Sequence, residues 1–242
     1  MTIKGSRQLV LALDAAGLAC SAAVGFGERV LVGERINTTH GQAEALLPLV
    51  DRAMCRAGQV PNAIGLLVVT VGPGSFTGIR AGLAAATGIA LATGAGLIGV
   101  TSFDAVAVRA FRSDSAELPF RMIALESRRE DLYVQFYDRN GEPLCASAAI
   151  MPSVLGDVVD ATIGGMPLLI AGDAAQRAGA ALAQRPDTAV LKGSAPDATA
   201  ALRAGLRLLR LQNSAGTPRP LYLRPPDVTL PNGSREAKLT RT

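Results

Sequence analysis

Two acidic residues at the ends of apolar segments are the first candidates for chemistry. Asp14 and Glu126 each close a segment that predicts a strand, and each is followed by residues typical of a hairpin. Where two such hairpins clasp phosphate, glycines let the backbone N–H groups approach the anion. The hairpin after Asp14 has Gly17 but no hydroxyl group, and the one after Glu126 has Arg128 and no glycine. We therefore predict vestigial phosphate hairpins without a tightly bound cofactor.

A glycine-rich segment from Gly72 to Arg80, GPGSFTGIR, is the second candidate. It leads from a predicted strand into a predicted helix, and a helix N-terminus can bind an anion. A phosphate-binding P-loop would need a Lys after its last glycine, and this segment has none. Because a tight strand-to-helix turn also needs residues that tolerate positive φ, we interpret these glycines as structural.

Side chains for metal binding or nucleophilic catalysis are scarce. His40 is the only histidine, so a two-histidine metal site and the HExxH motif are excluded within this chain. No Ser/His/Asp arrangement can be built convincingly around it, and we place it at the entry to the first helix. Cys20, Cys55 and Cys145 lack CxxC spacing and are predicted to be reduced, mostly buried thiols. We predict neither a catalytic residue nor a metal.

The elements that position these residues form a pattern that occurs twice. In the first half we predict strands at 8–14, 20–26, 30–36, 66–71 and 97–100, with helices at 41–57 and 77–93. In the second half we predict strands at 122–126, 132–137, 144–150, 167–171 and 188–191, with helices at 153–161, 174–184 and 197–212. The order predicts an α/β fold of two ribonuclease H-like lobes with the actin-like architecture of sugar kinases and Hsp70. We place the lobes at 1–106 and 107–242, the second ending in an irregular tail.

The second predicted helix opens the stretch 81–103, which has no charged residue. Small residues recur at every fourth position and form a flat ridge that would let another helix approach closely: Gly78, Gly82, Ala86, Ala90 and Gly94. A single sheet can cover only one side of such a helix, so we predict a second polypeptide on the ridge. A membrane span is disfavoured, because Gly, Ala and Thr contribute little transfer energy.

The composition fits a folded globular chain. Of 242 residues, 49% are hydrophobic and 18% are charged, which excludes a disordered protein. The net charge of +4 permits contact with nucleic acid without requiring it. The apolar run near the start is too short for a signal peptide and is interrupted by Asp14, so we expect a cytoplasmic protein.

Six segments together resemble the TsaB (YeaZ) family. They are LALD ending at Asp14, His40 with EALLPL from Glu44, GPGSFTGIR from Gly72, GVTSFD from Gly99, ESRR from Glu126 and PLYLR from Pro220. The match covers nearly the whole chain, and the nine-residue turn is its most specific part. The resemblance implies a bacterial, cytoplasmic, two-lobed protein that takes part in threonylcarbamoyl modification of the adenosine next to the tRNA anticodon.

The resemblance also implies partners. It implies a non-catalytic paralogue of the transferase TsaD that pairs with it through the first-lobe helices, a P-loop ATPase, TsaE, that joins the pair, tRNA bound through the complex, and a homodimer when the chain is alone. Whether ATP or ADP binds at the subunit junction stays open. We predict a partner surface centred on Gly78, Gly82 and Ala86 that also includes His40, Glu44, Ala45, Leu49, Arg52 and Arg80.

Two rival functions are carried forward. An enzyme in its own right, either an ATP-dependent transferase or a glycoprotease-like peptidase, would depend on Asp14, Glu126 and His40. A tRNA-binding module would use scattered cations and would bind more weakly as salt rises. Those cations are Arg128, Arg129, Arg219, Arg224, Arg235, Lys238 and Arg241.

Overall fold

A computed structural model describes residues 8–37, 41–113, 118–212 and 217–224 of the chain, which hold ten strands and six α-helices. The strands are β1 Leu9–Asp14, β2 Ala19–Phe26, β3 Arg29–Asn37, β4 Ile64–Thr70, β5 Gly96–Val100, β6 Phe120–Glu126, β7 Leu132–Tyr137, β8 Ala148–Ile150, β9 Leu168–Ala171 and β10 Thr188–Val190. The helices are α1 Gln42–Arg56, α2 Phe76–Thr93, α3 Ser102–Ala110, α4 Leu155–Ile163, α5 Ala175–Ala181 and α6 Ala198–Gln212.

The strands form two five-stranded sheets with the same topology. Their orders are β3-β2-β1-β4-β5 and β8-β7-β6-β9-β10. Within each sheet, the three strands that come first in the sequence form an antiparallel meander. The two strands that follow them pair in parallel. Parallel neighbours need crossover connections, which the helices supply. The predicted repeat and the α/β fold class are confirmed.

Each sheet is covered by helices on both faces. On the first sheet, α1 and α2 cover one face through a core that includes Leu46, Leu67 and Val69. Helix α6 covers the opposite face, where Leu202 packs with Val68. On the second sheet, α4 and α5 cover one face and α3 covers the other. Burial of these apolar faces is the main source of stability for both lobes.

Two helices pack across the predicted lobe boundary. Helix α3, which sequence analysis missed, packs Phe103 and Val106 on the second sheet, and the boundary at 106/107 falls inside it. Helix α6 comes from the C-terminal segment but covers the first sheet. Assigning 107–242 entirely to the second lobe is therefore corrected. An amphipathic pattern shows that a helix has an apolar stripe, but not which sheet covers it.

One predicted strand is also shorter than expected. The segment 144–150 forms a strand only over β8, Ala148–Ile150. Before it, the carbonyl of Cys145 accepts a hydrogen bond from the buried side chain of Gln135, at 2.6 Å. The Leu144 N–H still donates to the Phe136 carbonyl at 3.0 Å, so the pairing with β7 is interrupted after Leu144 and resumes at β8.

Candidate functional site

The first hairpin is held by a buried carboxylate. Asp14 Oδ1 accepts hydrogen bonds from the Thr70 hydroxyl at 2.6 Å and from the Ala16 backbone N–H at 3.2 Å. Burial raises the pKa of Asp14 to about 6, from a usual value of 3.8. Because this side chain is only 1% exposed, it supports the hairpin from below and does not face solvent.

The Gly72–Arg80 turn packs directly on the first hairpin. The Ser75 N–H donates to the Ala16 carbonyl at 2.7 Å, and the Ser75 hydroxyl accepts from the Gly78 N–H to cap α2. A Cβ atom on Gly74 would lie 2.1 Å from the Ala16 carbonyl oxygen. The glycines therefore allow two backbone segments to touch. These contacts use donors at the N-terminus of α2 that an anion would need, which agrees with a structural role for the turn.

The second hairpin is filled by side chains of its own lobe. Arg177 pairs with Glu126 and donates to the carbonyls of Arg129 and Glu130, at 3.3 and 2.8 Å. The Glu126 N–H donates to Asp173 Oδ1 at 2.9 Å. Side chains of the same lobe thus bind two carbonyls and one N–H of this hairpin.

One arginine joins the two hairpins. Arg128 adopts a left-handed backbone conformation, with φ of 63°, and its Nη2 lies 3.4 Å from the Gly17 carbonyl oxygen. The cavity beside these hairpins measures about 130 Å³ and is lined by residues including Gly74, Ser127 and Tyr133. Clefts that hold small-molecule ligands usually enclose about 300–1,000 Å³. This geometry does not form a phosphate clasp around an open cleft.

The tail segment 217–224 ties the two lobes together at this cavity. The Leu221 N–H donates to the Val71 carbonyl at 2.7 Å. Arg224 forms an ion pair with Asp131 at 2.6 Å, and the Asp131 side chain is 1% exposed. The Tyr222 ring lies 5.2 Å from the Phe76 ring, measured between centroids. The tail therefore connects the glycine turn to the second hairpin.

The first three residues of the small-residue ridge of α2 face the interior of their own lobe. Gly78 and Gly82 are buried, and Ala86 is fully buried in the first core. A Cβ on Gly78 would meet the Ala15 carbonyl at 1.9 Å, and one on Gly82 would meet Val69 at 3.5 Å. The prediction that these three residues form the centre of a partner surface is wrong, because the chain itself buries them. Farther along the ridge, Ala90 is half-buried and Gly94 is exposed.

The opposite side of α2 is exposed and nearly free of charge. We call it the outer face of α2, defined by Thr77, Arg80, Ala84, Thr87, Gly88, Leu91 and Ala92. Leu91 is 86% exposed. A cavity of about 300 Å³ opens between α1 and α2 beside this face, and Leu47, Met54 and Ile89 contribute to its lining. Within the described residues, α2 is also the one helix whose length and composition would allow a membrane span, which is weak evidence by itself.

Comparison with known proteins assigns the chain to a family. Residues 36–212 match the sequence model of TsaD, the tRNA N6-adenosine threonylcarbamoyltransferase family. The chain belongs to this family. It is 33% identical over 125 residues to the tRNA threonylcarbamoyladenosine biosynthesis protein TsaB of Haemophilus influenzae, an alignment that covers 51% of this chain and 51% of that protein. The resemblance to the TsaB (YeaZ) family is confirmed.

Solved structures agree with the two-lobed fold. YeaZ from Pseudomonas aeruginosa matches with a TM-score of 0.73 and 22% identity, covering 89% of this chain and 100% of that chain. The ROK hexokinase from Thermus thermophilus matches with a TM-score of 0.50 and 17% identity, covering 85% and 100%. At these identities the likeness concerns the fold, which is the predicted actin-like architecture. The alignment with the Haemophilus relative spans only about half of its length.

The other residues predicted for the TsaB-type partner surface are divided by their exposure. Leu49 is fully buried, so it supports α1 from inside and is removed from that surface. Glu44 and Arg52 are exposed and Ala45 is half-buried. Arg52 forms an ion pair with Glu34 at 3.3 Å. His40 lies outside the described residues, as do the tail cations Arg235, Lys238 and Arg241.

Arg80 is exposed but has structural contacts as well. Its guanidinium lies 3.7 Å from the centroid of the Phe76 ring, and its Nε donates to the Tyr222 hydroxyl at 3.2 Å. Sequence analysis missed Phe76 and Tyr222 as a pair, because 146 positions separate them in the chain. The available signal was that GPGSFTGIR and PLYLR, two of the segments that resemble the TsaB family, each contain an aromatic residue.

Gln42 is a second residue that sequence analysis missed. Its Nε2 donates to the Gly17 carbonyl at 3.0 Å, and its Oε1 accepts from the Ser75 hydroxyl at 3.4 Å. Its backbone carbonyl accepts a weak hydrogen bond from the Cys20 thiol. This side chain therefore links α1, the first hairpin and the glycine turn. A single polar residue at the start of a helix gave no signal in the sequence for that role.

The cysteines differ in part from the prediction. Cys20 is buried, whereas Cys55 and Cys145 are exposed, so the expectation of mostly buried thiols is corrected. Burial, with a smaller effect of Asp14, raises the pKa of the Cys20 thiol to about 11. Across residues 8–37, 41–113, 118–212 and 217–224, no three His, Cys, Asp or Glu side chains are grouped to hold a metal ion.

Proposed function

We propose that this chain is a non-catalytic scaffold subunit for threonylcarbamoyl modification of the adenosine next to the anticodon in tRNAs. It acts by docking a TsaD-type transferase paralogue. The observation that carries the proposal is the outer face of α2, which is exposed over the helix length and has Arg80 as its one charged residue.

Docking on this face has a low desolvation cost. Charged groups are expensive to remove from water, whereas Ala84 and Leu91 gain from burial. The cavity between α1 and α2 could receive an apolar side chain of the partner, next to the exposed Leu47. A standard interface buries roughly 800 Å² on each partner, about what two short helices can present.

The hairpins favour a scaffold over an enzyme. Arg128 and Arg177 occupy positions where a phosphate clasp would need open backbone, and Asp14 is buried. The proposal therefore assigns catalysis to the paralogue. It includes a TsaE-type ATPase as a third member, tRNA bound through the complex, ATP or ADP at the subunit junction, a homodimer when the chain is alone, and a cytoplasmic location.

Co-purification with a TsaD-type partner tests the docking face. The variant Leu91→Glu places a charge on the most exposed apolar side chain of the outer face, in the last turn of α2. It should weaken the complex by about 2 kcal/mol or more, roughly 30-fold in Kd. The matched control is Met166→Glu, because Met166 is 48% exposed on the other lobe. Size and mass of the complex are read by light scattering.

The outcomes decide the proposal. Loss of the complex with Leu91→Glu but not with Met166→Glu supports docking on α2, and tRNA modification should fall in cells that depend on the variant. Equal complex formation by both variants would refute it. Gly82→Leu is unsuitable for this purpose, because Gly82 faces Val69 inside the lobe and the change would disturb folding.

A further inference from the structure

A second surface, on the opposite side of the first sheet, concentrates positive charge. Helix α6 carries Arg203, Arg207 and Arg210 at i, i+4 and i+7, which places them along one face of the helix. Together with Arg112, which follows α3, they line a cavity of about 230 Å³. We call this surface the α3–α6 arginine concavity.

The charges of the concavity are only partly neutralised. Glu28 is the one carboxylate in its lining and pairs with Arg210. Arg207 donates to the Asn140 carbonyl at 2.7 Å, a bond that fixes its position but leaves its charge. Within the described residues, Arg112 and Arg203 form no ion pair. The lining therefore has an excess of three positive charges, four arginines less one carboxylate.

An aromatic ring lies among these cations. Phe111 lines the concavity, and the guanidinium carbons of Arg121 and Arg207 lie 4.3 and 5.6 Å from its ring centroid. The ring also meets Tyr137 edge-on, at 6.4 Å between centroids. RNA-binding proteins combine such cations, which contact phosphates, with aromatic rings, on which bases stack.

We propose that the α3–α6 arginine concavity binds the sugar-phosphate backbone of RNA. The identification of that RNA as the tRNA substrate rests on the proposed function. An RNA strand can enter a concave site, whereas a flat lipid bilayer would contact only the rim of the concavity. These arginines are distinct from the tRNA-binding cations considered from sequence, such as Arg128 and Arg129, which lie at the second hairpin.

Binding of an unmodified tRNA transcript to the full chain tests this surface. We compare Arg112→Glu/Arg203→Glu with the control Arg35→Glu/Lys192→Glu, which makes the same change in net charge at two exposed positions elsewhere. Fluorescence anisotropy is measured from about 50 to 200 mM salt. The first variant should weaken binding at least about tenfold and lower the salt slope by about 1–2, since two phosphate contacts are lost.

Each outcome has a clear meaning. The site is supported if Arg112→Glu/Arg203→Glu loses tRNA affinity as expected while the control variant binds tRNA like the unaltered chain. Equal losses in both variants, no RNA binding by the unaltered chain, or tighter binding to vesicles of anionic lipid than to tRNA would overturn it. Thermal melting of both variants checks that they are folded.

A modification assay separates this inference from the proposed function. Cells that lack their own subunit and regain threonylcarbamoyladenosine with the chain support the proposed function, whatever the RNA-binding result. Failure of that rescue, combined with charge-dependent tRNA binding at the concavity, would sink the proposed function and leave the RNA site standing.

Discussion

The Asp14 carboxylate accepts a 2.6 Å hydrogen bond from the Thr70 hydroxyl, across the ends of the neighbouring parallel strands β1 and β4. Both side chains are about 1% exposed. This bond favours the ionised carboxylate, but burial opposes it more strongly, so the pKa is raised to about 6. The Asp14–Thr70 hydrogen bond therefore holds the first hairpin in place, but the buried, ionised carboxylate lowers the stability of the fold at neutral pH.

Asp14→Asn should stabilise the protein at pH 7.5. Because the folded-state pKa is raised, the favourable contribution of the neutral carboxyl is complete below about pH 3.8 and is lost as the pH rises through about 6. The two-unit shift corresponds to at most about 3 kcal/mol. The gain in free energy of unfolding, measured with urea, should disappear by pH 4, and the exposed Asp51→Asn should change little. Destabilisation of Asp14→Asn at pH 7.5 would contradict the assignment.

Three glycines of α2 should respond differently to alanine. Gly78→Ala places a Cβ 1.9 Å from the Ala15 carbonyl and should cost about 3 kcal/mol. Gly82→Ala makes only an ordinary contact with Val69 and should be nearly neutral. Gly88→Ala meets no atom within 4 Å and should stabilise by up to about 1 kcal/mol through helix propensity. Chemical denaturation measures all three, and equal stability of Gly78→Ala and Gly88→Ala would be inconsistent with the packing of the turn.

Arg224→Ala should loosen the tail. It leaves the buried Asp131 carboxylate without its ion pair, and we expect a loss of about 2 kcal/mol in the free energy of unfolding. The Leu221 amide, bonded to the Val71 carbonyl, should exchange with deuterium faster. The exposed Arg219→Ala is the matched control and should change neither quantity. The tail would have no role in joining the lobes if both variants exchanged like the unaltered protein.

The isolated chain should show no micromolar binding of ATP with magnesium. Arg128 and Arg177 fill the region around the hairpins, and the adjoining cavity of about 130 Å³ is too small for a nucleotide. Isothermal titration calorimetry checks this. Micromolar binding that disappears in Asp14→Ala would instead favour the rival function as an enzyme.

Local patterns in the sequence account for the sheets and for the absence of a clasp. Alternating and continuous apolar segments closed by Asp14 and Glu126 mark equivalent strands, since side-chain periodicity depends only on neighbouring residues. The lack of glycine after Glu126 was visible for the same reason. Helix α3 was missed although Thr101 and Asp104 form a capping box, because the segment is short and contains the predicted lobe boundary.

The sequence by itself determined two repeated α/β units and a second helix with Arg80 as its one charged residue. Only the tertiary structure decided which side of that helix is free: Gly78 lies against the first hairpin, Gly82 lies against the sheet, and Leu91 is exposed to solvent. A helix that is apolar all round has no stripe to indicate its buried side. The arginine concavity likewise exists only because α6 crosses to the first sheet and brings Arg203 beside Arg112, residues far apart in the chain.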